Sequence, residues 1–495
     1  MPARRSQTTH PSVTSLLREQ SPGIALYLAV SAVLVVCYPY PYLTSDSGSY
    51  VTSAISLVNN PYRPLGYALY LSGLHLIAGS AAAIPVFQAA TWLLAVLFFL
   101  HHGLRGMGCS PGTRRILGGA LLLNPLALFY AHHLLSDSLF GSMSLVYFGL
   151  LLRTMRERSA RLLIGLVVSA GLCLLIRHVG LLYMLFAAIV IAVAEGRRCL
   201  RHLAVFAAGC AAVILMICGK MNADLGAFRL NTFDGWTLWA ASAKYIDLSP
   251  EYRNQLTSPE LRELYGYFAS YPPERYSKAS DLEVQWSPQS PAKQLLFSVI
   301  QTYGMDYNRA YVYTNDKLNL IARDIVLHRP LRYAMGTLLP ACGQALWPDM
   351  LLNDTGWPDY PAYPSLSSPD RGIQVYYHES SNTWHATRDI FPTVKPVMDV
   401  WIRMLMPLLG LVVIFYAAFR RQTGRWHADA PFLAVSVAFI VFYVASIGGL
   451  STIYTRYLLP TSALMTAVIV VGLTRGIAAV RAGSFVSVQS TPQAL

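Results

Sequence analysis

Residues 23–50 read GIALYLAVSAVLVVCYPYPYLTSDSGSY. The apolar run is about 20 residues long, enough to cross a hydrocarbon core of roughly 30 Å as a helix. It closes on Pro39-Tyr40-Pro41-Tyr42 and gives way at once to a small-residue segment with one acid, Asp46. Arg4, Arg5 and Arg18 precede it, but the run is long and no small-residue cleavage pattern follows. The segment is therefore expected to be an uncleaved anchor.

The same pattern recurs along the chain. Further candidate spans fall at 83–104, 116–132, 138–152, 161–176, 179–195, 202–219, 400–419, 431–450 and 457–474. Residues 65–78 are apolar but short, and are expected to lie along the interface. The 495 residues are 54% hydrophobic and only 13% charged, against roughly 25% charged in ordinary soluble domains. Those numbers argue against a soluble enzyme, a disordered chain, a collagen-like chain or a disulfide scaffold. The expected fold is an all-α polytopic membrane protein with about ten transmembrane helices.

The net charge of +13 would ordinarily raise nucleic acid as a partner, so its placement matters. With the N-terminus inside, the inner segments hold 18 basic and four acidic residues and net +14. The short outer segments net +1, and the long segment from Lys220 to Arg403 nets −2. Basic loops stay cytoplasmic. The expectation is a multi-pass plasma-membrane protein with both termini cytoplasmic and no nucleic-acid partner. The seven cysteines form no CxxC, and are read as small buried hydrophobes.

Three regions follow: a membrane core over 1–220, with a first outer loop at 43–82; an outer loop domain over 221–395; and a C-terminal membrane part over 396–495. The outer loop holds six of the nine tryptophans and 15 of the 30 tyrosines, more than a structureless connection needs. Within it, 315–328 shows helical spacing at Leu318, Ile321, Ile325 and Leu327, and 331–347 reads as an apolar interfacial helix. Its aromatics suit either sugar stacking or core packing.

Ionisable groups near membrane depth are costly and mark function. Here they gather on the outer side: Asp46; Arg63 in NNPYRPLGYALYL; His132, His133 and Asp137 in AHHLLSDSLF; Arg177 and His178; Tyr454 and Arg456 in STIYTRYLLP. A pump would more often place such groups at the midplane. Acids beside cations at an outer boundary suit transfer from a lipid phosphate. A carboxylate takes the proton of an acceptor hydroxyl, and arginines stabilise the departing phosphate. Asp46 is the candidate base and Arg63 the candidate phosphate ligand. Asp137 would assist, while Arg177, His178, Tyr454 and Arg456 would contact phosphate or sugar. Structural roles compete: Asp46 or Asp137 as a helix cap, Arg63 as an interface anchor, Arg456 as a tie between spans, and His132 and His133 as packing. No DxD or HExxH occurs, and no metal or other cofactor is called for.

Four matches together resemble the GT-C superfamily of membrane glycosyltransferases, which use polyprenyl-phosphate sugars. They are the acid after the first span (Asp46), the basic-Pro pair with its apolar follower (RPLGYALYL, from Arg63), the acid at the outer start of the fourth span (Asp137, LLSDSLF), and the R-Y-x-x-P run from Arg456 to Pro460. The segments LWAASAKYIDLSP and NDKLNLIARDIVLHRPLRY resemble loops of bacterial lipid-carrier-dependent transferases. The resemblance implies a GT-C core with interfacial helices in the first outer loop. It also implies Asp46 as catalytic base, Arg63 on the donor phosphate, Asp137 as second acid, and a lipid, glycan or protein acceptor. The first loop carries one acid where some members carry a pair. A polysaccharide polymerase or ligase, or a transporter of lipid-linked substrates, is the alternative.

Overall fold

The computed structural model describes residues 12–481 except 45, 105–108, 158, 196–198, 278–280, 347–375, 379–389, 424–429 and 449–457. Helices α1 Val13–Cys37, α2 Ser47–Ser56, α3 Gly66–Ala78, α4 Ala83–Phe98, α5 Pro111–Leu122, α6 Pro125–Tyr130, α7 Asp137–Glu157, α8 Ala160–Ile176, α9 Leu181–Glu195 and α10 Cys199–Leu225 build the N-terminal part. The segment that follows contributes α11 Asp234–Ser242, α12 Pro250–Gln255, α13 Pro259–Ala269, α14 Glu274–Ser277, α15 Asp281–Trp286, α16 Pro291–Tyr303, α17 Tyr307–His328, α18 Pro330–Tyr333 and α19 Leu339–Leu346. Three long helices close the chain: α20 Phe391–Thr423, α21 Ala430–Gly448 and α22 Leu459–Arg481. Among the described residues, only the isolated bridges Tyr42–His133 and Asn60–Arg63 add β-type pairing.

Seven helices among the described residues are long and apolar enough to cross a membrane: Val13–Cys37, Ala83–Gly103, Asp137–Glu157, Leu200–Leu225, Thr393–Ala418, Ala430–Ile447 and Leu459–Ala478. The chain is thus an all-helical, polytopic membrane protein. Two expected spans are shorter apolar helices, Ala160–Ile176 and His178–Ala194. The first helix starts earlier than hydropathy alone places it, at Val13, because Ser12 caps it by accepting the Ser15 N–H at 3.2 Å. It stops at Cys37, before two prolines that lack a donor.

The expected span 116–132 is two short helices, not one. Pro125 cannot continue α5, and buried Asn124 begins α6 by accepting the Leu126 N–H at 3.0 Å. Its amide reaches Ser462 on α22 at 3.2 Å, which ties the break to the C-terminal part.

Among the described residues two large cores result, with a small cluster of Met221, Leu225, Ala227 and Val312 beside them. One runs through α1–α10 and α20–α22, and the other belongs to the segment between α10 and α20. In the second, α11 lies so close to α17 that a Cβ on Gly235 would meet the Asn315 carbonyl oxygen at 2.1 Å. The Asn315 side chain accepts the Gly235 N–H at 2.9 Å, and Trp236 stacks on Tyr311 with centroids 4.6 Å apart. Leu318, Ile321 and Ile325 face this core as expected, but Leu327 does not. It is 80% exposed at the end of α17, and beyond the break at Arg329 the chain also exposes Leu331 (77%), Met335 (68%) and Leu339 (62%).

Candidate active site

Backbone pairing brings the two acids together. The Tyr42 N–H donates to the His132 carbonyl at 2.6 Å, and the Leu134 N–H donates to the Tyr42 carbonyl at 3.0 Å. Gln88 on α4 donates to the Ala131 and His133 carbonyls at 3.0 and 2.8 Å, fixing the second strand of this bridge. Ser47 donates its hydroxyl to the Leu134 carbonyl at 3.0 Å. The chain entering α2 is thereby fastened to the chain entering α7, so Asp46 and Asp137 stand at neighbouring helix starts.

Each acid meets an arginine from another element. Asp46 pairs with Arg63, and Asp137 pairs with Arg177 at the end of α8. Asp46 sits at the N-cap position of α2 yet makes no side-chain cap bond. Its carboxylate is committed to Arg63, so the capping reading fails for its side chain. Asp137 opens α7, is 2% exposed and spends its charge on Arg177. Arg63 turns inward to Asp46 instead of reaching for the interface.

Tyr50, one helical turn after Asp46, joins the two pairs. It is buried, its hydroxyl lies 2.8 Å from the Ser136 hydroxyl, and the Arg63 guanidinium stands 5.7 Å from its ring centroid. Asp46, Arg63 and Arg177 all act on it electrostatically. Tyr67 packs edge-on against Tyr50 at 4.9 Å, and its buried hydroxyl makes no hydrogen bond among the described residues. Neither tyrosine was singled out from the sequence. The i, i+4 spacing of Asp46 and Tyr50 is the signal that could have found the first.

His178 follows Arg177 directly, with Arg63 and Arg177 in electrostatic reach and its buried Nε2 without a hydrogen bond among the described residues. His133 packs among Phe129, Tyr42 and Tyr130 at 4.4, 5.1 and 5.5 Å, a structural setting. His132 is also buried, with its ring edge-on to Tyr38 at 6.3 Å. The structure thus brings together Asp46, Arg63, Asp137, Arg177 and His178. Tyr454 and Arg456 lie outside the described residues.

Backbone contacts hold the site to close tolerance. A Cβ on Gly66 would stand 2.5 Å from the Leu175 carbonyl oxygen and 2.9 Å from the Ile176 nitrogen. The turn bearing Arg63 therefore rests on the backbone just before Arg177. The helices between α10 and α20 close the other side: Tyr62 meets Tyr311 at 5.4 Å and Trp286 at 5.6 Å, and Thr232 donates to the Pro61 carbonyl. Asp224, at the end of α10, accepts the Asn59 N–H at 2.7 Å and its amide at 2.9 Å. Among the described residues, no group of three or more His, Cys, Asp or Glu side chains could hold a metal ion.

No protein-family model and no curated protein matches the chain. The apo crystal structure of ArnT from Cupriavidus metallidurans is similar over 91% of this chain and 77% of its own, at 12% identity and a TM-score of 0.35. A likeness at that level carries no weight for the reaction, which must be argued from the site itself.

Proposed function

We propose that the chain is a membrane glycosyltransferase of the GT-C type. It would move a sugar from a polyprenyl-phosphate donor to an acceptor hydroxyl at the outer face, in the synthesis of cell-envelope glycan, glycolipid or glycoprotein. The observation that carries this reading is the pair of Asp–Arg couples bridged by Tyr50 and Ser136, at helix ends beside an aromatic outer domain. A pair of acids and a pair of arginines supply both needs of the reaction: a proton acceptor, and positive charge where phosphate leaves.

The pairing also dictates an order of events. Arg63 is held by Asp46 until an anion competes for it. A donor phosphate offers a guanidinium more charge-assisted hydrogen bonds than one carboxylate does. As Arg63 turns to the phosphate, the Asp46 carboxylate is freed to take the acceptor proton. The acceptor oxygen then bonds to the sugar's anomeric carbon, the bond from that carbon to the phosphate oxygen breaks, and the electron pair departs with the polyprenyl phosphate. The configuration inverts. Asp137, buried and neutralised by Arg177, holds Arg177 beside the site for the same phosphate, and His178 Nε2 is available to a sugar hydroxyl. The exposed Leu331, Met335 and Leu339 would rest in lipid where the polyprenyl chain arrives. In this reading the termini are cytoplasmic, 221–395 forms the outer domain between the two membrane parts, and no cofactor is needed.

The test uses purified protein in liposomes containing polyprenyl-monophosphate sugars and an envelope acceptor extract, and follows release of polyprenyl phosphate. Asp46→Asn should lower the rate by about 10² to 10⁴ while leaving the fold intact. Release unchanged in that variant removes Asp46 as base. Flux of the lipid-linked sugar without bond cleavage would make the chain a transporter.

A further inference from the structure

Lys293 stands in the first turn of α16, 6% exposed, inside a cage of four rings. Its ammonium lies 4.9 Å from the Trp286 centroid, 5.0 Å from Trp236, 5.3 Å from Tyr311 and 5.8 Å from Tyr307. Among the described residues its side chain donates one hydrogen bond, to the Tyr307 hydroxyl at 3.2 Å. No carboxylate pairs with it among the described residues. The placement is unfavourable twice over: the charge is buried, and it sits at the positive end of a helix. A packing role alone would be met more cheaply by Met or Leu.

The same rings reach the candidate site. Trp286 and Tyr311 both touch Tyr62, whose ring lies 5.7 Å from the Arg63 guanidinium. An ammonium attracted by ring faces holds those faces around it. Trp286 from α15, Trp236 from α11, and Tyr307 with Tyr311 from α17 thus converge on one charge, and two of these rings form the wall on which Tyr62 rests. We infer that Lys293 is a positioning residue: its caged ammonium holds the aromatic wall that seats Tyr62, and so fixes Arg63 against Asp46. This inference rests on the sugar-transfer reading for its consequence, but not for its geometry.

Burial pushes the Lys293 ammonium down to about 7, so the charge that organises the cage is lost near neutrality. The titratable groups facing it are Tyr307 and Tyr311 from α17. From α11 and α15 the facing groups are indoles, and the first outer loop presents Tyr62 with Arg63 beyond it. Burial holds the Tyr311 and Tyr62 hydroxyls above their ordinary value, and the lysine is the group whose charge changes over this range.

The experiment compares wild type, Lys293→Met and Lys293→Arg in two ways. Amide hydrogen exchange over residues 58–66 reads the seating of the first outer loop without turnover. Exchange there should be at least fivefold faster in Lys293→Met than in wild type at pH 6.5, with the α1 and α7 amides unchanged. In wild type the same segment should loosen as pH rises from 6 to 9, once intrinsic exchange is corrected for, and in Lys293→Arg it should not. Equal protection in wild type and Lys293→Met, or the same pH response in all three proteins, overturns the inference. The second readout is donor KM and kcat with a polyprenyl-monophosphate sugar. Lys293→Met should raise KM about tenfold with little change in kcat, and Lys293→Arg should flatten the alkaline loss. Altered exchange with KM unchanged removes the effect on Arg63. If wild type turns over no donor at all, the sugar-transfer reading fails, and exchange still decides the role of Lys293.

Discussion

Replacing Gly66 by Ala tests how closely the two ion pairs depend on one backbone contact. The added Cβ would stand 2.5 Å from the Leu175 carbonyl oxygen, 2.6 Å from its carbon and 2.9 Å from the Ile176 nitrogen. All three are backbone atoms, so no side chain can swing away. Ordinary contact needs about 3.4 Å or more, so α3 and the end of α8 must separate by nearly 1 Å. Arg63 lies three residues before Gly66, and Arg177 follows Ile176. The strain therefore falls between the two arginines that the proposed reaction needs on one phosphate. Overpacking of this kind costs about 1–3 kcal/mol, and a misplacement of about 1 Å at a reacting centre can cost about 10²-fold in rate. Thermal unfolding in detergent should show a fall of a few degrees, and donor turnover should fall by about 10- to 100-fold. Gly66→Ser should behave alike. Wild-type turnover with unchanged unfolding would refute the coupling of these two turns.

Three other outcomes follow from the same contacts. Arg177→Met strands the buried Asp137 carboxylate and should destabilise the membrane part by about 3–5 kcal/mol, whereas Asp137→Asn with Arg177→Met should recover most of it; chemical denaturation of both variants measures the difference. Gly235→Ala would drive a Cβ to 2.1 Å from the Asn315 carbonyl oxygen. It should separate α11 from α17 and expose Trp236 and Trp239, read as a red-shifted tryptophan emission at neutral pH. Between α11 and α12, burial raises Asp247, but the Ser249 hydroxyl and N–H and the Arg329 guanidinium outweigh it and hold the carboxyl below its ordinary value. A carboxyl held low stabilises the fold above its unfolded value, and that contribution is lost as pH falls below about 4. Asp247→Asn should therefore show a shallower loss of thermal stability between about pH 5 and about pH 3.

The membrane helices are legible because a span needs a long apolar run whatever it packs against, and Val13–Cys37 or Ala83–Gly103 require little more. The break at Asn124 was written in LLLNPLALF as a cap residue followed by proline, but hydropathy averages over both. The candidate site divides in the same way. That Asp46, Arg63, Asp137 and Arg177 share one end follows from counting spans. Which acid takes which arginine does not, because Asp137 and Arg177 are 40 residues apart and meet through helix packing. Tyr50 and Tyr67 matter through contacts made across elements, and such contacts leave no periodic trace. Lys293 shows the limit most clearly: aromatic richness in 221–395 was plain, but a lysine enclosed by four of those rings is a property of α11, α15, α16 and α17 assembled.

The central claim is that this site transfers an envelope sugar with Asp46 as the base. Mass spectrometry of envelope glycolipids and glycoproteins addresses it most directly, comparing a deletion strain with strains complemented by wild type or Asp46→Asn. The account predicts that one sugar modification disappears on deletion, returns with wild type and stays absent with Asp46→Asn present at equal level in the membrane. Restoration of that sugar by Asp46→Asn, or an envelope unchanged by the deletion, would contradict it.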